Sequence, residues 1–313
     1  MPETLALVGY GAMGSRMGRR LLAAGYPLRV YDVASAARAQ ARQDGADTAE
    51  RLTEVVRGCS LVITMLPDGA TVEAVALGPD GIAHAAGPGT LLLEMSSSYP
   101  PTTRKVHAAL GERGILMMDA PVSGGTVGAE AGTLTIMVGG EEAHLDRARP
   151  VLAVLGKTIV HVGGIGAGHT IKALNNLLSA TTLAATAEAM TLAVRSGIAP
   201  ERALDVFSTS TGRSYSAEYK FPRFVLPGTF NAGFALGLLK KDVEIAVRLG
   251  READHPLLLG NLVRELVGLA VGQLGPNVDH TELVRLIEGW AKVEVRASGR
   301  AATEEEARAP QPE

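Results

Sequence analysis

Apolar residues in the first half of the chain fall into short, nearly continuous runs at 5–8, 28–31, 61–66, 91–95, 116–118, 136–138 and 159–162. Between most of them lie amphipathic stretches, such as 12–24 and 102–112, and Gly, Pro, Asp or Ser bounds the runs. Unbroken apolar runs suit strands covered on both faces, and their alternation with helices predicts a mainly parallel sheet. After about residue 168 the strand-like runs give way to helical periodicity. Residues 170–196 contain no internal Gly or Pro, which predicts a helix roughly 40 Å long that forms the spine of a second domain. Asp279 and Glu282 have capping-box spacing, and Leu283, Leu286, Ile287 and Trp290 share one stripe, so Trp290 is expected in the core or a subunit contact. The pattern predicts an α/β Rossmann-type N-terminal domain over 1–166 and an all-α domain over 167–296. A polar tail over 297–313 is expected to be disordered.

Composition narrows the function. The chain has 313 residues, 30 basic and 33 acidic, with a formal net charge of -3, so neither nucleic acid nor an anionic membrane is an expected partner. Aromatic residues make up only 4%, which does not suit base stacking. The lone cysteine, Cys59, precludes an internal disulfide and fits a reducing compartment, so a cytoplasmic location is expected. The seven histidines form no metal-binding pattern, and no metal site is expected. A membrane-spanning helix is not expected either: the best window, 171–194, carries Lys172 and Glu188.

Gly9-Tyr10-Gly11-Ala12-Met13-Gly14 is a GxGxxG element with an apolar strand before it and a helix-like stretch after it. The first glycine permits a tight turn, the second lets backbone approach a pyrophosphate, and the third lets the helix pack closely on its strand. Asp32 follows the second strand at the distance expected of a carboxylate that binds ribose hydroxyls and repels a 2′-phosphate. Taken alone Asp32 reads as a turn residue; with the glycines it predicts NAD. Arg29 and Arg38 nearby leave NADP open.

Two further segments read as chemical. In the segment 119–125, Asp-Ala-Pro-Val-Ser-Gly-Gly, the hydroxyl of Ser123 and the amides of Gly124 and Gly125 can converge on a carboxylate, although an ordinary glycine turn has the same composition. In the glycine-rich segment 163–176, Lys172 and Asn176 are four residues apart and share a helix face. By itself such a pair reads as a solvated surface; its place at the opening of a helix beside a cofactor cleft makes it a chemical candidate. His169 reads as a satisfied structural histidine.

These elements, with Lys241-Asp242, recur in the same order in the β-hydroxyacid dehydrogenases, and over about residues 4–295 the sequence resembles that family. The resemblance implies Lys172 as catalytic acid/base, Asn176 as substrate-orienting neighbour, and a substrate carboxylate at Ser123, Gly124 and Gly125. It places Leu66, Pro67, Thr71, Ser97 and Lys241 near the nicotinamide half of the cofactor. It further implies a small 3-hydroxy acid or its semialdehyde as substrate, and a homodimer or homotetramer assembled through the helical domain. Lys240 beside Lys241 leaves the assignment of the family's lysine open by one position. The segment 212–223, with Arg213 as a candidate for a second anionic group, reads either as a selectivity element or as a basic loop. An imine reductase, a phosphorylated sugar-acid dehydrogenase and a non-catalytic dinucleotide-binding module are the competing readings.

Overall fold

A computed structural model describes residues 3–297; the rest of the expected tail, 298–313, lies outside the described residues. The chain divides into two compact units between Lys172 and Ala173, within the long helix that opens the second half.

The first unit is built on nine strands: β1 Leu5–Val8, β2 Leu28–Tyr31, β3 Asp47–Thr48, β4 Leu61–Thr64, β5 Leu91–Glu94, β6 Leu116–Asp119, β7 Val122–Ser123, β8 Thr135–Gly139 and β9 Thr158–Gly163. Their order is β3-β2-β1-β4-β5-β6-β8-β7, with β9 paired to β8. The first six run parallel. This is the doubly wound order in which the connections reverse direction between β1 and β4, and such a reversal opens a ligand crevice at the carboxyl ends of the strands. β8 runs antiparallel to β6 and β7, and parallel to β9. The two-residue strands β3 and β7 are too short to show as apolar runs.

The continuous apolar runs follow from burial on both faces. Leu5 and Leu7 of β1 join Met17, Leu21, Ile63 and Leu93 in one core. Ala6 and Val8, pointing the other way, join Val62, Leu92, Val106 and Leu110 in a second. Helices Ala12–Ala23 and Glu142–Leu155 contribute to the first core, and Pro100–Gly111 to the second.

The second unit is helical, with its long helix spanning Ala167–Arg195 from the first unit onward. By length and composition that helix qualifies as a membrane span, but half of its apolar window is buried inside the fold. Ala180, Ala184 and Ala187 along it let Phe221, Leu239, Val243 and Val267 pack closely around it. Two structural expectations change here. Trp290 is 53% exposed, while Leu283, Leu286 and Ile287 of its stripe are buried, so the tryptophan is not core. The Asp279 carboxylate takes the amides of Thr281, Gly233 and Phe234 and opens a short 3-10 turn, His280–Glu282, before the helix Leu283–Ala291.

Candidate active site

The glycines of the first loop differ in what surrounds them. Gly9 has φ +98°, and a Cβ there would lie 2.2 Å from the Met65 carbonyl oxygen. At Gly14 a Cβ would lie 2.1 Å from the Gly9 carbonyl oxygen, so only glycine lets helix Ala12–Ala23 sit this close to its strand. At Gly11 a Cβ would meet nothing within 4 Å. Gly11 caps the helix without a side-chain hydrogen bond, Gly11 and Ala12 are exposed, and the first-turn amides of the helix have no intrahelical acceptor. An anion fits there, held by those amides and the positive end of the helix.

The Asp32 carboxylate, at the end of β2, is fixed by two backbone donors, Tyr10 N–H at 2.7 Å and Ala34 N–H at 2.8 Å. It therefore stands directly beside the glycine loop. Arg38 is nearly buried and donates to the Asp32 and Val33 carbonyls and to Glu50. Arg29 donates to the Arg57 carbonyl. Arg38 is thus held against the Asp32 backbone itself and Arg29 against Arg57, and the carboxylate beside the glycine loop fits the ribose of a nicotinamide dinucleotide.

Other candidates lie just past the carboxyl ends of β4, β5 and β6, on the same edge of the sheet. Leu66 donates its amide to Ser96 Oγ at 2.8 Å, joining the segments that carry Leu66, Pro67 and Ser97. Thr71 donates its amide to the Asp68 carboxylate, which caps helix Gly69–Leu77. Ser123 closes β7; Gly124 and Gly125 follow with φ +129° and +62°, a backbone path that needs glycine.

The second glycine-rich segment is a seat for the start of the long helix. Asp119, the last residue of β6, takes the amides of Gly166 at 2.7 Å and His169 at 2.8 Å. A Cβ at Gly168 would lie 2.4 Å from the Met137 carbonyl and 2.8 Å from the Asp119 carboxylate; one at Gly139 would lie 2.5 Å from that carboxylate. The glycines make room for a capping group from a remote strand, and the helix begins at Ala167, three residues before the expected start. His169 is fully enclosed: Nε2 is 2.8 Å from Glu94 Oε2 and 3.1 Å from the Ser96 carbonyl, and Nδ1 is 2.8 Å from Thr103 Oγ1. Burial alone would lower the pKa of His169, but the charge and hydrogen bond of Glu94, then the charge of Asp119, raise it above the usual histidine value. Burial likewise favours a neutral Glu94, and His169 with Ser96 outweighs it and holds the carboxyl below its usual range. Lys172, three residues after His169, is 9% exposed.

In the second unit Asn176, one turn after Lys172 on the same helix face, donates its amide to Asp242 Oδ2 at 2.5 Å. Lys241 Nζ lies 3.5 Å from Asp242 Oδ1, while Lys240 is exposed. A buried carboxylate thus holds both the amide and the ammonium, and its neighbour in this arrangement is Lys241. The segment 212–223 is not a basic loop. Most of it lies in a π-helix, Ser216–Val225, with Tyr215 stacked on Tyr219 at 4.8 Å and Arg223 over the Tyr219 ring. Arg213 is exposed and 3.5 Å from Glu218. Lys220, buried in the same π-helix, donates to Ser179 Oγ at 2.7 Å, and burial lowers its pKa to about 8 against the charge of Asp279.

Sequence reasoning missed Glu94, Asp119 and Asp242 as participants. The signal for Glu94 was present: a carboxylate inside the run Leu91-Leu92-Leu93-Glu94-Met95 needs a buried partner.

Comparison with known proteins matches residues 4–163 to the family model for the NAD binding domain of 6-phosphogluconate dehydrogenase. Residues 166–287 match the model described as NAD-binding of NADP-dependent 3-hydroxyisobutyrate dehydrogenase. The chain is 41% identical to 2-(hydroxymethyl)glutarate dehydrogenase of Eubacterium barkeri, over 86% of this chain and 90% of that protein. It is 38% identical to an NAD-dependent L-serine dehydrogenase of Pseudomonas aeruginosa, over 87% and 93%. The solved structure of Mycobacterium tuberculosis 3-hydroxyisobutyrate dehydrogenase with L-serine superposes with a TM-score of 0.85 at 32% identity, covering 92% of this chain and 99% of that one.

Proposed function

The chain belongs to the β-hydroxyacid dehydrogenase family, and from that membership we propose that it interconverts a small 3-hydroxy acid and its semialdehyde. It is an oxidoreductase acting on CH–OH groups with a nicotinamide dinucleotide as cofactor. The observation that carries the substrate reading is the buried Lys172 in the second turn of the long helix, with an oriented Asn176 one turn further on. The substrates in the names of the relatives support it. 2-(Hydroxymethyl)glutarate, serine and 3-hydroxyisobutyrate all carry a CH₂OH group on the carbon next to a carboxylate.

Bound NAD supplies the hydride acceptor, and its reduced form the donor. Gly9, Gly11, Ala12, Met13 and Gly14 hold the pyrophosphate, and Asp32 holds the ribose and favours NAD over NADP. Leu66, Pro67, Thr71, Ser97 and Lys241 attend the nicotinamide half. Ser123, Gly124 and Gly125 bind the substrate carboxylate. In oxidation a neutral Lys172 takes the hydroxyl proton as the C–H hydrogen departs as hydride, leaving a carbonyl. In reduction the Lys172 ammonium returns that proton to the forming alkoxide. Asn176 orients the reacting oxygen, its own amide fixed by Asp242. Arg213 is assigned to a second anionic group on larger substrates.

The reading includes a cytoplasmic homodimer or homotetramer joined through the helical unit. Exposed Leu258, Leu262 and Leu269 on one helix support that surface, and the single buried Cys59 supports the compartment. The test is a panel of small 3-hydroxy acids, each paired with its amide, followed by nicotinamide absorbance. The acids turn over and the amides lose most of kcat/KM, because a charge-assisted contact is replaced by a weaker one. An uncharged alcohol matching the best acid refutes the carboxylate site.

A further inference from the structure

We propose that Glu94 is a positioning residue for the reaction: through its buried pair with His169 it fixes the helical turn that carries Lys172. The inference rests on the reading of Lys172 as acid/base.

The geometry is specific. Both side chains of the pair are wholly buried, 2.8 Å apart, and the pair joins the carboxyl end of β5 to the first turn of the long helix. Asp119, at the end of the neighbouring β6, caps the same turn through two amides and lies 3.6 Å from His169 Nδ1. Helix Pro100–Gly111 adds the Thr103 hydroxyl on Nδ1, with the Arg104 guanidinium against Gly166. The groups that face the imidazole are therefore Glu94, Asp119 and the Ser96 carbonyl from the ends of the sheet and Thr103 from the helix. A buried ion pair is a costly way to gain stability, since apolar residues of similar volume serve as well or better. What it supplies is a fixed geometry. Lys172 sits less than one turn from His169, so a helix start that moves carries the ammonium with it. Displacing a reacting group by about 1 Å costs on the order of 10²-fold in rate.

The pair also makes the position sensitive to one proton. Glu94 is the leading influence that keeps His169 charged against burial. With the carboxylate removed, burial is opposed only by the charge of Asp119 and the Ser96 carbonyl, and His169 releases its proton more readily than in wild type.

The experiment compares wild type, Glu94→Gln, and Glu94→Gln with His169→Gln, by single-turnover hydride transfer at saturating NADH across pH, per active site titrated with NADH. In Glu94→Gln the rate falls about 10- to 100-fold at pH 8 while NADH affinity stays within twofold. The loss is partly recovered on acidification as His169 regains its proton, and the double variant abolishes that recovery. A Glu94→Gln enzyme with a lower Tm but the wild-type rate and pH profile overturns the proposal. Wild type provides a test that needs no variant: among its seven histidines, ¹⁵N NMR shows the His169 ring titrating above the usual histidine value, and a His169 ring that titrates below that value overturns the pairing. Lys172→Ala separates the two readings. If it transfers hydride normally, the acid/base assignment fails; if it is inactive while Glu94→Gln is unimpaired, only the positioning role fails.

Discussion

Gly11 and Gly14 stand three residues apart in one motif, yet their replacement by alanine should damage different properties. At Gly14 the new methyl lands 2.1 Å from the Gly9 carbonyl oxygen, where ordinary contact begins at 3.4 Å. Helix and loop must separate by about 1.3 Å, the gap between those two distances. The obstacle is backbone, which cannot rotate aside. Overpacking of this kind costs about 3 kcal/mol, the upper end of the usual range. For a unit of this size that lowers Tm by roughly 6–12 °C. At Gly11 the backbone, φ −73° and ψ −158°, is open to any residue, and the methyl meets nothing within 4 Å. The entropy lost from the unfolded chain, about 0.4–1 kcal/mol in favour of alanine, offsets the weaker helix cap that alanine makes. Tm should therefore stay within about 2 °C of wild type. The same methyl occupies the space over the first-turn amides, so NADH binding weakens at least tenfold, about 1.4 kcal/mol. Thermal melting and NADH fluorescence titration on both variants measure the two effects. A Gly11→Ala protein that binds NADH as wild type does refutes the placement of the pyrophosphate; one that melts as early as Gly14→Ala refutes the packing argument.

Lys172→Ala should lower single-turnover hydride transfer by about 10²–10⁴-fold with NADH affinity unchanged, and Lys172→Arg should not rescue it, because guanidinium holds its proton too tightly. Asp32→Ser removes the carboxylate that Tyr10 and Ala34 hold beside the loop, so the ratio of kcat/KM for NAD to that for NADP should fall; an unchanged ratio contradicts the ribose assignment. The Glu94–His169 pair makes stability pH-dependent in both directions. The depressed Glu94 contributes fully above its unfolded value of about 4.3 and loses that contribution as pH falls through its folded value. The raised His169 contributes fully below about 6.5 and loses it as pH rises through its folded value. The Tm gap between wild type and Glu94→Gln should be widest between these limits, and a gap constant from pH 4 to 9 contradicts the charged pair.

What the chain discloses in sequence is what local physics governs. Leu5–Val8 and Leu61–Thr64 show as apolar runs because both faces of the strands are covered, and the glycine loop shows because its turn and close packing fall within six residues. The order of Lys172 and Asn176 is visible because a helix brings residues four apart together. Trp290 shows the limit of the same reasoning, since the stripe allowed core or subunit contact and the structure removes only the core. Leu283, Leu286 and Ile287 of its stripe are buried, while Trp290, two residues before the helix cap Lys292 with φ +55°, is 53% exposed.

Asp119 marks the boundary between the two kinds of information. Its segment, Asp119 to Gly125, drew notice for Ser123 and the glycines, while its own role depends on amides 47 and 50 residues away. Glycine-rich loops before helices suggest phosphate sites because backbone amides are then open to an anion. At Gly166 and His169 the anion is already present as Asp119, and the glycines at 139 and 168 serve to admit it. Two glycine-rich helix starts in one chain therefore have opposite meanings. One leaves its amides open for a cofactor; the other uses them to hold the helix that bears Lys172. No local pattern distinguishes the two, because the difference lies in which strand end faces each helix.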